Sequence, residues 1–122
     1  MDKIILNLLK LVTQLRIFHW QTDSYAQHKA FGNAYESLSE LIDRLVEVHQ
    51  GKYGKIVYGS PAGLEISNSE DLNAQDILTE VAEYLATNFN EMHDAVKDSD
   101  CLNIRDEIVA ELNKLKYLLT LK

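Results

Sequence analysis

The stretch LRIFHWQTDSYAQHKAFGNAYESLSELIDRLVEV, residues 15–48, decides the fold of this chain. Apolar residues recur at helical spacing through Leu15 and Phe18 or His19. They recur again through Phe31, Tyr35, Leu38, Ile42 and Leu45, with the polar run QTDSYAQ between the two sets. A short polar break between two helical periods predicts an antiparallel helical hairpin. The first helix ends near residue 21. The second starts near Ser24 or His28 and runs to Gln50, with Gly51 as its C-cap.

Working outward, Ile5, Leu8, Leu9 and Val12 carry the first helix back to the N-terminus, where Asp2 is the expected cap. Beyond Gln50 the run GKYGKIVYGSPAGLEISNSE holds four of the five glycines and the only proline, and predicts a loop over 51–70 with a short extended piece at KIVY. No function is assigned to that loop. A third helix is expected from Ser69 or Asn73, capped by Asn73 and Asp76, with Ile77, Val81, Tyr84, Leu85, Phe89 and Met92 on one face. It fades at Asp98–Asp100. A fourth runs from about Asn103 to Leu121, along Ile104, Ile108, Leu112, Leu115, Leu118 and Leu119, and Cys101 falls in the loop before it. Short links inside each hairpin and one long link between them predict an all-α, four-helix bundle with a long crossover between helices two and three. That is the connection found in ferritin-like folds. Residues 1–122 form one domain.

Composition removes several functions. The chain is 46% hydrophobic and 25% charged, with a net charge of −7 and no run of Lys or Arg. Nucleic-acid binding, which needs a basic footprint, is not expected. One cysteine allows no intrachain disulfide and no thiolate zinc cluster, so a reducing cytoplasm is the expected location. Asn7 and Lys10 interrupt the N-terminal apolar run, so no leader peptide is expected there. No stretch is long and apolar enough to span a bilayer, and no membrane partner is expected.

The chemistry concentrates in His19, Trp20, His28, Asp43 and Glu47. On a wheel with His28 at zero, Asp43 falls near 60° and Glu47 near 100°, one turn apart and bordering the core stripe. His28 and Asp43 lie fifteen residues apart, about 22 Å along a helix, so one chain cannot bring them to one ion. A two-fold dimer can. If helix two crosses its own copy near residues 36–39, with Gly32 and Ser39 letting the backbones approach, His28 of one chain meets Asp43 and Glu47 of the other. Glu36 then faces its own copy near the axis. Two imidazoles and two carboxylates suit Fe(II), Mn(II) or Zn(II). Plainer roles stay open. His19 and Trp20 can simply end a helix, His28 can be a first-turn residue, and Asp43 and Glu47 can be flank charges paired with Arg44 or Lys29. His49 and His93 read as surface or core-edge residues, and Cys101 has no neighbouring base.

His19-Trp20, then His28 with Phe31, then Asp43-Arg44-Leu45-Val46-Glu47 is an order that resembles the Dps family (DNA protection during starvation) of the ferritin-like superfamily. The interval between the histidines, nine residues, is shorter than in that family, and the basic N-terminal extension of its DNA-binding members is absent. The resemblance implies iron binding and Fe(II) oxidation by peroxide or oxygen at a di-iron or mono-iron site between two subunits. It implies His19 and His28 as metal ligands from one chain, Asp43 and Glu47 from its partner, and Trp20 as a catalytic neighbour in electron transfer. It also implies a homodimer through helix two and a twelve-subunit cage. The alternative is a ferritin-like metal-binding or interaction dimer without ferroxidase turnover.

Overall fold

A computed structural model describes residues 1–59 and 65–122. Four helices make up its regular structure: α1 Asp2–Gln21, α2 Tyr25–Tyr53, α3 Ala74–Met92 and α4 Ser99–Leu118. No strand occurs among the described residues, and residues 55–58, expected to be extended, form no sheet. The middle of the loop, 60–64, lies outside the described residues.

The helix ends follow local chemistry. Ser24 caps α2 by accepting from the Gln27 N–H at 3.2 Å, and Asn73 caps α3 by accepting from the Asp76 N–H at 3.1 Å. Three expectations change. Asp2 does not cap α1: it lies inside the first turn, and its carboxylate accepts from the Gly59 N–H instead. α2 runs past Gly51, which is not in the left-handed region, and ends at Gly54, where φ is +84°. α4 begins at Ser99, four residues earlier than expected, so Cys101 is a buried helical residue. The short turn before it is held by Asp94, whose carboxylate accepts from the N–H groups of Val96 and Lys97.

The helices pack as a square. α1 touches α2 and α3, α4 touches α2 and α3, and the pairs α1/α4 and α2/α3 lie across the diagonals. Side-chain bonds set the directions: Gln75 with Lys116 and Asn90 with Arg105 make α3 and α4 antiparallel, and Lys52 with Asp100 and Arg44 with Glu107 do the same for α2 and α4. The core is the meeting of four apolar stripes, centred on Leu8 and Leu15, Leu38 and Leu45, Leu78, Leu85 and Phe89, and Ile108 and Leu112, all essentially without solvent exposure. Each such side chain contributes about 1.5–3 kcal/mol of burial. No described helix is long and apolar enough to cross a membrane.

Two glutamines of α1, Gln14 within its buried face and Gln21 exposed at its last residue, tie down the connection between α2 and α3. Gln14, 3% exposed, donates to the Ser67 carbonyl at 2.8 Å and accepts from the Ser67 N–H at 2.9 Å. Gln21, two turns on, donates to Asn68 and accepts from the Ser69 N–H. With Gly59 on Asp2, these bonds touch α1 near its start, in its second half and at its end.

Candidate metal centre

The α1–α2 turn places His19 and His28 against each other. Their rings stack with centroids 3.8 Å apart and planes 15° from parallel. Each Nδ1 bonds to the other residue's main-chain carbonyl: His19 Nδ1 to His28 O at 2.6 Å, His28 Nδ1 to His19 O at 2.8 Å. A carbonyl oxygen can only accept, so both Nδ1 atoms carry the proton. In the neutral rings both Nε2 atoms therefore hold a free lone pair. This is the usual second contact of a metal-bound histidine, which fixes the tautomer and strengthens the remaining nitrogen as a ligand.

The pair fits only because of its neighbours. A Cβ at Gly32 would sit 2.9 Å from His19 Cε1 and 3.1 Å from its Nδ1. The missing side chain of Gly32 thus makes room for the imidazole of its own chain. Tyr35 meets His19 edge-on at 5.4 Å, and the Arg16 guanidinium lies 4.6 Å above the Tyr35 ring. Because the imidazole planes are nearly parallel, their in-plane lone pairs do not converge on one point. The pair as placed suits two neighbouring ions, one on each ring.

Asp43 and Glu47 are exposed, and neither enters an ion pair among the described residues. Arg44, which with Lys29 is the partner of the plainer reading, instead bonds to Glu107 of α4 at 3.1 Å. The two carboxylates lie on the solvent side of α2, not on the border of the core. The buried arc of α2 is Phe31, Ala34, Leu38, Ile42 and Leu45, and Glu47 lies nearly opposite it on the wheel. They continue an exposed acidic line with Glu36 and Glu40. No group of three or more metal-ligating side chains occurs within one chain among the described residues. Trp20 is 65% exposed and Tyr25 75%, so two aromatic rings stand in solvent beside the histidine pair. A surface groove of about 510 Å³ between α1 and α3 contains none of these residues.

Sequence reasoning missed a polar cluster at the other end of the bundle. Asp98 is 3% exposed. Its carboxylate accepts from the Tyr53 hydroxyl and from the Asp94 N–H, and the Lys52 ammonium lies 3.6 Å away. The Tyr53 bond, followed by the Asp94 N–H, holds the Asp98 carboxyl below its ordinary 3.8. A carboxyl depressed in the folded chain stabilises it above the unfolded value and loses that effect as pH falls through the folded one. Asp98→Asn is therefore expected to lower Tm at about pH 7 and to converge with the wild type below the ordinary carboxylate range, as thermal melts across that interval will show. The signal available in sequence was Lys52-Tyr53 opposite Asp98–Asp100, which becomes visible only once α2 and α4 are known to be antiparallel.

The profile of DUF5856, described as a family of unknown function, matches residues 19–119. The chain belongs to this family. No curated protein and no solved structure matches it. The DUF5856 segment starts at His19 and contains His28, Asp43, Glu47 and the Asp98 cluster.

Proposed function

We propose that this DUF5856 chain is a ferritin-like, Dps-like iron-binding protein that oxidises Fe(II) at sites formed between two copies of α2. The observation that carries this is the reciprocal Nδ1-to-carbonyl bonding of His19 and His28, which holds two Nε2 lone pairs ready at the bundle surface. A pair of histidines used only for packing has no need of a matched tautomer on both rings. The bonds from Gly59, Ser67 and Ser69 to α1 support the long crossover of a ferritin-like bundle.

In this account Fe(II) is the substrate. His19 and His28 of one chain each present one nitrogen. Asp43 and Glu47 of the partner, one helical turn apart, present two carboxylates that can bridge neighbouring ions. Peroxide takes up one electron from each of two Fe(II) ions and two protons, and leaves as two waters. The exposed Trp20 is covered by the partner and packs beside the site, both electrons coming from the Fe(II) pair. Without a cation the line Glu36, Glu40, Asp43, Glu47 repels its own copy, so bound iron and dimerisation support each other. Mn(II) and Zn(II) suit the same donors. The twelve-subunit cage implied by the resemblance would store the oxidised product.

The test is anaerobic Fe(II) titration by calorimetry, followed by peroxide in the same cell, on wild type and Asp43→Ala. Saturable binding of about two to four ions per dimer, lost in the variant, with heat on peroxide addition, is the expected result. Binding without that heat would leave a metal-binding dimer that does not turn over. Absence of saturable binding in the wild type would overturn the proposal.

A further inference from the structure

We propose that the exposed face shared by α1 and α2 binds a second copy of this chain, and that Arg16 of each copy pairs with the partner's Glu36 to fix the register of the contact. The pair rests on the shared iron site proposed above, because it uses the register in which His28 meets the partner's Asp43 and Glu47.

Arg16 is an arginine held in place without a carboxylate. Of the three arginines in the chain, Arg44 bonds to Glu107 and Arg105 to Asp106, while Arg16 enters no ion pair among the described residues. Its guanidinium lies 4.6 Å from the centre of the Tyr35 ring, reaching from α1 onto the edge of α2. Stacking occupies the face of a guanidinium and leaves its edge N–H groups free. That edge is the part that grips a carboxylate at two points. Leu9 and Trp20 lie on the same line of α1 as Arg16, and all three are exposed. They fall within about 40° of one another on the helical wheel. Apolar, Trp and Arg side chains gathered on one exposed line are the material of a protein contact.

The adjoining stripe of α2 supplies the opposite charge. Glu36 falls between Asp43 and Glu47 on the wheel, is exposed, and enters no ion pair among the described residues. One chain therefore carries both halves of the contact, a seated arginine and a free carboxylate, which is the self-complementarity that a two-fold interface needs. The register agrees. A two-fold axis that sets position 28 against positions 43 and 47 sets position 35 against positions 36–40. The Arg16 guanidinium, seated on Tyr35, thus arrives at the level of the partner's Glu36. Without Arg16, Glu36 near the axis would face only its own equivalent, and like charges brought together weaken association. Arg16 neutralises the middle of the acidic line, and iron neutralises Asp43 and Glu47 farther from the axis.

Charge reversal tests the pair, read as the dimer Kd by sedimentation equilibrium on the full chain at low ionic strength, first with chelator and then with Zn(II). Both positions are exposed, so the variants keep the fold. Arg16→Glu and Glu36→Arg are each expected to raise Kd at least about tenfold. The double variant restores opposite charges across the axis and is expected to recover most of that loss. If Arg16 only packs on Tyr35, the double variant recovers nothing, and that result would overturn the pair. A dimer unmoved by either single variant would also overturn it, and would leave the shared iron site standing. A chain monomeric in both conditions would overturn the contact with a second copy. The anaerobic Fe(II) titration reads the other proposal separately: full recovery in the double variant beside absent iron binding would uphold the pair and end the ferroxidase reading.

Discussion

Gly32→Ala is expected to leave the metal-free chain close to wild-type stability while weakening Fe(II) binding about 10–100-fold. The two effects have separate causes. In a helix interior alanine is favoured over glycine by about 0.5–1 kcal/mol, because it restricts the unfolded chain. Against this, the new Cβ would lie 2.9 Å from His19 Cε1, closer than carbon atoms pack. The ring has to turn away, and its Nδ1 loses the 2.6 Å bond to the His28 carbonyl. The propensity gain and the repacking cost offset each other in Tm. The iron site loses both a tautomer lock and a ring position. Melting curves with and without Fe(II), set beside the anaerobic titration, separate the two terms. Unchanged iron affinity would mean that the orientation of His19 does not matter for binding.

Phe89→Ala is expected to cost about 3–5 kcal/mol, the largest stability effect of any single truncation considered, because the ring is fully buried and supports two polar groups as well as the core. His93 stacks on one side, and the Arg105 guanidinium lies 5.5 Å from its centroid. Arg105 is itself 9% exposed and donates to the Leu85 carbonyl and to Asn90, fastening α4 to the last turns of α3. Removing the ring leaves a cavity and unseats both groups. Small domains have total stabilities of about 5–15 kcal/mol, so chemical denaturation should show a large loss of midpoint. A loss below about 1 kcal/mol would show that the α3–α4 end collapses around the gap.

The four helices were legible because each apolar stripe holds its period for several turns, and because Ser24 and Asn73 are capping residues whose side chains do cap. The boundaries that moved are those decided by a competing partner. Asp2 is drawn away from the helix end by the Gly59 N–H, and the Asp94 turn starts α4 early. The His19–His28 pair was legible as two metal-binding residue types either side of a short turn. Its tautomers were not, since they depend on carbonyls that face each other only after folding. Asp43 and Glu47 were misplaced toward the core because the wheel was read from His28 and not from the centre of the buried arc. Gln14 is unremarked in the sequence and His93 reads only as a surface or core-edge residue, because a polar residue beside an apolar stripe gives no sign of its partner, which here is the Ser67 backbone or the carbonyl and ring of Phe89 four residues away.

The intersubunit origin of the site is tested most directly by mixing two inactive variants. His28→Ala lacks a ligand from one half of each site, and Asp43→Ala lacks one from the other half. Equal amounts, unfolded and refolded together, give mixed dimers in half of the pairings, and each mixed dimer holds one intact site of two. The rate of Fe(II) oxidation by peroxide is expected to be near zero for either variant alone and about a quarter of the wild-type rate for the mixture. A mixture as inactive as its components, beside an active wild type, would contradict a site shared between two chains.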